Sequence, residues 1–240
     1  MFLKLHMLNV KNISKSYPGK ANALQKVSFR VRRGEICVLL GNNGAGKSSI
    51  IRSVVGAQDV DEGDILIGGR LLREAGITCK KNLGYIPDNH ALYTYLTGRE
   101  YVNLVSSFYD IPKEEMEERI NKYVSLLKLD NAFDKLVSTY SKGMKQKLLI
   151  IAAIVHKPDI IIMDEPFSGL DPATVDLLIK LVLEEKERGA AILFSSHMLS
   201  ITEKIADRIV VIKEGMVVMD DEAEEVKKYG CIEELLVGDE

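Results

Sequence analysis

One stretch constrains the possible folds of this chain more than any other: Gly41-Asn42-Asn43-Gly44-Ala45-Gly46-Lys47-Ser48-Ser49. It reads G-x-x-x-x-G-K-S, a phosphate-binding loop. Glycines let the backbone turn its N–H groups inward around a polyphosphate, and Asn42, Gly44, Ala45 and Gly46 supply that cradle. Lys47 would reach the β- and γ-phosphates, and the Ser48 hydroxyl would ligate Mg²⁺. The run Ile36-Cys37-Val38-Leu39-Leu40 before the loop reads as a buried strand. Ser49 to Val55 reads as a helix whose N-terminus points partial positive charge at the anion. A glycine-rich turn with an exposed lysine is the bland alternative. The flanking strand and helix argue against it.

The rest of the chain must then supply a sheet and helices around this loop. Its 240 residues allow one large α/β domain, or a core with a subdomain. The net charge of −3 gives no hint of a nucleic-acid binder. The longest apolar run, Leu148 to Val155, is far short of the about 20 residues that a membrane span needs. The N-terminus lacks a basic region followed by a long apolar stretch, so no secretion signal is expected. Cys37, Cys79 and Cys231 are scattered and not in C-x-x-C spacing. That fits a reduced compartment with neither a disulfide frame nor a zinc site.

Along the chain, Leu5–Tyr17 and Ala23–Val31 read as two antiparallel strands around the turn Pro18-Gly19-Lys20. Gly56 reads as a helix C-cap. Short strands are expected at Asp64–Ile67 and at Leu83–Ile86, the latter ending at Pro87-Asp88. From His90 to Val155 the period becomes helical. Thr97-Gly98-Arg99-Glu100 is a capping box opening a helix to about Tyr109. Pro112 opens another, with Met116, Ile120, Tyr123, Val124 and Leu127 on its apolar face. Residues 5–88 and 156–220 thus form a core, 89–155 an inserted helical subdomain, and 221–240 a short charged tail.

The run Ile160-Ile161-Ile162-Met163-Asp164-Glu165 is a buried strand ending in two acids. Beside a phosphate loop, Asp164 would hold Mg²⁺ and Glu165 would orient or deprotonate an attacking water. Asp171-Pro172 is a cap and first-residue pair opening a helix that Gly189 ends. Ala190–Phe194 reads as another buried strand, and His197 follows on the rim that carries Asp164. Arg208–Lys213 and Met216–Asp220 read as a hairpin through Glu214-Gly215. Ser141 reads as the N-cap of a very apolar helix. Tyr17 serves either edge packing or stacking on an adenine.

Taken in order, these motifs resemble the ATP-binding subunit of an ABC transporter over residues 5–220. Gly41–Ser48 match Walker A and Ile160–Glu165 match Walker B. Ser168–Asp171 resemble the D-loop, and His197 the switch histidine. Tyr17 matches the aromatic that stacks on adenine, and Tyr140–Met144 resemble the family signature, usually L-S-G-G-Q. Here the signature is Y-S-K-G-M, in which Lys142 and Met144 replace a glycine and a glutamine. Ser141 and Gly143 keep the residues that touch the γ-phosphate. Asp88 stands where the family has a glutamine, as an acidic metal or water contact one carbon shorter. The segment Leu96–Glu100, with Y-S-K-G-M, is similar to the bacterial branch that exports drugs, antibiotics and polysaccharides.

The resemblance implies an α/β phosphate-loop NTPase core with a mixed sheet, an N-terminal antiparallel β part and an inserted α-helical subdomain. It implies ATP and Mg²⁺ as ligands, with Lys47, Glu165 and His197 as catalytic residues. It also implies a second ATP-binding subunit facing this one, so that Ser141 and Gly143 of one chain close the ATP on the loop of the other. The remaining partner is a transmembrane permease subunit, which puts the chain on the cytoplasmic face of the membrane. The competing reading is an ABC-type ATPase acting on ribosomes or DNA. Such relatives carry two cassettes or a long coiled-coil insert, and this chain has one cassette and no sustained heptads. A binding-only regulator is a third reading, which the intact Asp164, Glu165 and His197 disfavour.

Overall fold

The computed structural model describes residues 6–89 and 91–228, without the side chains of Lys20, Ala21, Lys227 and Lys228. Leu5, His90, Cys231 and the tail from residue 229 lie outside the described residues.

Strands β1 (His6–Tyr17) and β2 (Lys20–Arg32) pair antiparallel, with Val10 opposite Phe29 and Ile13 opposite Val27. Leu8, Val10, Val27, Phe29 and Val31 are all buried, so the period-two pattern sets the register. β2 starts at Lys20 rather than Ala23 because Tyr17 pairs with Lys20, which zips the hairpin up to its turn. The fully buried β3 (Ile36–Leu40) follows, and the phosphate loop leads into α1 (Lys47–Val54). Gly56, at φ 66°, turns the chain out of that helix as a C-cap glycine does. Strands β4 (Glu62–Ile67) and β5 (Arg70–Leu71) complete an antiparallel sheet of order β2-β1-β4-β5.

Helix α2 (Leu72–Lys81) has no counterpart in the sequence expectations. It is kinked at Ala75 (φ −118°, ψ 32°), and Cys79 is its one buried residue. Its inward face is Leu72, Ala75 and Cys79, at helical spacing. Strand β6 (Leu83–Ile86) precedes three helices, α3 (Gly98–Ser106), α4 (Lys113–Leu126) and α5 (Lys142–Ile154). Thr97 caps α3 reciprocally: Oγ1 accepts from Glu100 N at 3.2 Å, and Thr97 N donates to Glu100 Oε2 at 2.8 Å. α3 ends at Ser106 and not at Tyr109, because Phe108 and Tyr109 tighten to the carbonyls of Val105 and Ser106. In α4, Met116, Ile120, Tyr123 and Val124 are buried at helical spacing. The long apolar run of α5 is interior throughout. Among the described residues no helix is long and apolar enough to cross a membrane.

The chain then forms β7 (Ile160–Met163), α6 (Pro172–Glu187), β8 (Ala191–Ser196), α7 (Leu199–Ile205), β9 (Arg208–Lys213), β10 (Met216–Glu222) and α8 (Ala223–Lys228). α7 is also new relative to the sequence reading. Its buried residues are Ile201, Thr202 and Ile205, and two turns are too few to establish a period. The second sheet has the order β10-β9-β3-β8-β7-β6. Five strands run parallel, and β10 returns antiparallel on β9.

The fold is α/β, with a parallel-rich sheet, an antiparallel sheet built from the N-terminal part, and helices. Ile50, Ile51 and Val54 of α1 fill the space between the sheets, against Val27, Phe29, Leu39 and Leu193. The other face of the parallel sheet packs on α5 and α6, and α3 and α4 close that core around Phe133, Tyr123 and Leu127. Burying a Phe or Leu side chain of this kind contributes roughly 1.5–3 kcal/mol. Register then places the rim. Leu40 pairs with Ser196 and Met163 with Phe194, so β3, β7 and β8 end together. β8 continues to Ser196, past the expected end at Phe194, because its serines keep pairing with Leu39 and Leu40. The phosphate loop, Asp164 and His197 all leave that one edge, where ligands of open α/β sheets bind.

Candidate active site

The loop's shape depends on Gly46, at φ 115°, a conformation that L side chains rarely adopt. Ala45 fixes the loop to the far hairpin, accepting from Gly215 N at 2.8 Å. A Cβ on Gly215 would lie 2.4 Å from the Ala23 carbonyl. The turn between β9 and β10 and the start of β2 therefore grip the loop from outside. Sequence reading treated Gly215 as a plain hairpin residue. Lys47 is buried and crosses the loop, donating to the carbonyls of Gly41 at 2.6 Å and Asn42 at 3.2 Å. Its ammonium also lies 3.3 Å from Glu165 Oε1. Glu165 Oε1 is buried and has no hydrogen bond, so this contact is an ion pair without hydrogen-bond alignment.

The two acids at the end of β7 face different neighbours. Asp164 Oδ1 accepts from Ser48 Oγ at 3.2 Å and from Ser195 Oγ at 2.6 Å. Glu165 sits at φ 47°, a left-handed backbone that is uncommon for a non-glycine residue and concentrated at functional sites. Its N–H donates to Ser195 Oγ at 2.8 Å. That turn aims the carboxylate away from Asp164, and Glu165 Oε2 meets His197 Nδ1 at 2.9 Å. Lys47, Ser48, Asp164, Glu165 and His197 thus form one connected network. Ser195 links its two halves and went unread in the sequence. The serine pair closing an otherwise apolar strand was the available signal.

Ser48 and Asp164 offer a hydroxyl and a carboxylate, the hard oxygen donors that Mg²⁺ prefers. Among the described residues no three His, Cys, Asp or Glu side chains gather as a self-sufficient metal cage. The donor pair fits Mg²⁺, which commonly takes one or two carboxylates and completes its shell with water and phosphate oxygens. Asp88 does not join this pair. It is exposed beyond β6, and no hydrogen bond connects it to Ser48 or Asp164. Burial first, then the charges of Asp164 and Asp88 against that of Arg52, raise the Tyr85 hydroxyl above the usual phenol range.

Tyr17 is half-buried at the end of β1. Its hydroxyl donates to Gln58 Oε1 at 2.7 Å and lies 3.2 Å from Ser49 Oγ. Burial works to raise its pKa, but the bonds to Ser49 and Gln58, with Arg52 nearby, bring it below the usual phenol value. Ser141 caps α5, accepting from Met144 N at 3.3 Å, and is exposed. Gly143 faces Asp171 and Thr174. Lys142 stretches over Gly169, where a Cβ would come within 2.5 Å of its ammonium. Ser141 meets Met144 and Gly143 meets Asp171 and Thr174, away from the phosphate loop of the same chain. Gln146, unread in the sequence, is buried in α5 and donates to the Pro166 carbonyl at 3.1 Å. It ties that helix to the segment after Glu165; flanked by Lys145 and Lys147, it carries no local signal in the sequence.

A family model described as ABC transporter matches residues 24–168. The chain is 33% identical to the ABC-type transporter ATP-binding protein EcsA of Bacillus subtilis (strain 168), covering 96% of this chain and 90% of that protein. It is 34% identical to the linearmycin resistance ATP-binding protein LnrL of the same organism, over 87% of this chain and 67% of that one. Among solved structures, an ATP-binding subunit of an ABC transporter superposes with a TM-score of 0.87 at 35% identity, covering 93% of each chain.

Proposed function

The chain belongs to the ABC transporter family, and from that premise we propose how its ATPase site works and what it drives. The observation that supports the reading most is the unbroken contact path Ser48–Asp164–Ser195–Glu165–His197, with Lys47 closing it on Glu165. Such a path spans everything phosphoryl transfer to water requires: a cation-binding end, a carboxylate for the water and a cationic group for the phosphates.

In this reading the loop from Asn42 to Ser49 holds the triphosphate of ATP, and Tyr17 stacks on the adenine. Lys47 leaves the Gly41 and Asn42 carbonyls for the β- and γ-phosphates. Ser48 and Asp164 hold Mg²⁺, which when bound offsets phosphate charge. Glu165 Oε1, buried and without a hydrogen bond, is the atom that takes the water's proton. His197 Nδ1 holds the other carboxylate oxygen and braces the γ-phosphate side. Asp88 serves at the rim as a water or metal contact.

The lone loop leaves the γ-phosphate open to solvent. A second ATP-binding subunit, turned head to tail, brings its Ser141, Gly143 and α5 N-terminus to that face. ATP then acts as the bridge of the pair, and hydrolysis lets the halves separate. Residues 89–155 act as the helical subdomain that passes this motion on. A groove of about 340 Å³ between Val55 and Tyr85 on one side and Tyr101, Val105 and Leu149 on the other supports docking by a transmembrane subunit. Tyr93 and Tyr95, 53% and 71% exposed, stand outside the core and suit the same contact. The direction is export, as the Y-S-K-G-M signature and the likeness to a resistance protein suggest. The working place is the cytoplasmic face of the membrane.

Replacing Glu165 with Gln tests the site. ATP binding is retained, turnover falls by about a hundredfold or more, the scale of losing a general base, and the protein elutes as an ATP-dependent dimer. Normal turnover in that variant would remove Glu165 from its role.

A further inference from the structure

Gln58 lies in the connection between α1 and β4, a segment to which none of the recognised motifs extends. Both ends of its side chain are engaged. Oε1 accepts the Tyr17 hydroxyl at 2.7 Å, while Nε2 donates to the Ser49 carbonyl at 2.9 Å and to Ser53 Oγ at 2.9 Å. The amide has one workable orientation. Ser53 Oγ already donates to the Ser49 carbonyl at 3.0 Å, so it can only accept from Gln58. The carbonyl end is thereby left for the phenol. Gln58 is therefore a strut between the ring at the end of β1 and the first turns of α1, the helix that carries the phosphate loop.

We propose that Gln58 is a positioning residue for the nucleotide base. It holds the Tyr17 ring at a fixed distance and angle from the phosphate loop before the nucleotide arrives. The proposal rests on the ATP-binding reading of Tyr17 and Lys47. A ring tethered at its hydroxyl has lost its rotational freedom in advance, so stacking on a base costs less ordering on binding. The same tether does nothing for a ligand without a base. Gln58 reaches the loop only at the carbonyl of its last residue, Ser49, and touches neither its inward N–H groups nor Lys47, so a ligand of phosphates alone gains nothing from the tether.

The test compares two ligands, ATP and inorganic tripolyphosphate, by calorimetry in the presence of Mg²⁺. The proteins are the wild type, Gln58→Leu, Tyr17→Phe and the double variant. Gln58→Leu should weaken ATP about five- to tenfold, the scale of one lost hydrogen bond, and leave tripolyphosphate affinity unchanged. Tyr17→Phe keeps the ring but loses the tether, so the double variant should be no weaker than the weaker single variant. Equal weakening of both ligands would overturn the proposal, because Gln58 would then shape the phosphate loop. Unchanged ATP affinity in Gln58→Leu, or additive losses in the double variant, would overturn it too. The underlying reading fails separately: a Lys47→Ala protein that still bound tripolyphosphate normally would sink the phosphate-loop assignment whatever Gln58 does.

Discussion

The hydroxyl of Ser195 accepts the Glu165 N–H at 2.8 Å and donates to Asp164 Oδ1 at 2.6 Å, with no exposed surface of its own. Both bonds bear on geometry that the acids cannot hold alone. A non-glycine residue in a sparsely populated backbone conformation costs of order 1–3 kcal/mol and persists only where its surroundings hold it. Here the Glu165 N–H is pinned, and its carboxylate is pulled by His197 and Lys47. Ser195→Ala removes the pin and leaves a peptide donor without a partner. Stability should fall by about 1–3 kcal/mol in urea unfolding, the cost of an unsatisfied buried group. Turnover should fall more than ATP affinity, because the loop and Lys47 are untouched. Ser195→Thr, which keeps the hydroxyl, should recover turnover. A purely structural role would instead lower kcat and raise KM together, with no difference between Ala and Thr beyond stability.

At the scale of elements, His156 joins parts that the sequence could not bring together. It follows α5, packs flat on Tyr109 with ring centroids 3.8 Å apart, and is 9% exposed. Neither ring nitrogen forms a hydrogen bond. Burial, aided by the charges of Arg119 and Arg188 and opposed by the nearby Leu83 backbone, pushes its pKa down to about 4. The ordinary value is about 6.5, so between these pH values the unfolded chain binds a proton that the folded chain does not. Stability from this group is whole above about pH 6.5 and is lost as the pH falls toward 4, by up to about 3 kcal/mol. His156→Phe keeps the stack and removes the titration. Its urea midpoint should fall less than the wild type's between pH 7 and 4.5; identical slopes would remove His156 as the cause. The same placement shows where sequence reading stops. Strands β3, β7 and β8 and the caps at Thr97, Ser141 and Asp171 were legible, since each rests on a run or spacing within a few residues, whereas Lys47, Ser48, Asp164, Glu165 and His197 were picked out by their separate motifs and the family resemblance. α2 was not legible, because its inward face, Leu72, Ala75 and Cys79, is short and is blurred by Gly76 and the exposed Ile77. Gln58, Ser195 and His156 were not, because Tyr17, Asp164 and Tyr109, which give them their places, lie 30 or more residues away along the chain.

For the whole molecule, the question is what completes the site. Ser141 and Lys142 are exposed at the start of α5, and the Ser141 side chain caps its own helix at Met144 N. If two copies pair head to tail, every site takes its loop from one chain and its serine from the other. Two inactive variants can then repair each other. Lys47→Ala spoils the loop, and Ser141→Arg places a bulky charge where the partner's γ-phosphate would lie. A dimer of one variant alone has two spoiled sites. A mixed dimer concentrates both defects in one site and leaves the other intact. With random pairing in an equal mixture, half of the dimers are mixed and each has one working site, so turnover should recover to about a quarter of wild type. The measurement is phosphate release from each variant alone and from the mixture after co-refolding or co-expression. Recovery near that level would support the head-to-tail pair of identical chains. Turnover in the mixture no higher than in its components would mean that this chain does not complete its own twin's site, and its complement must then be a different chain.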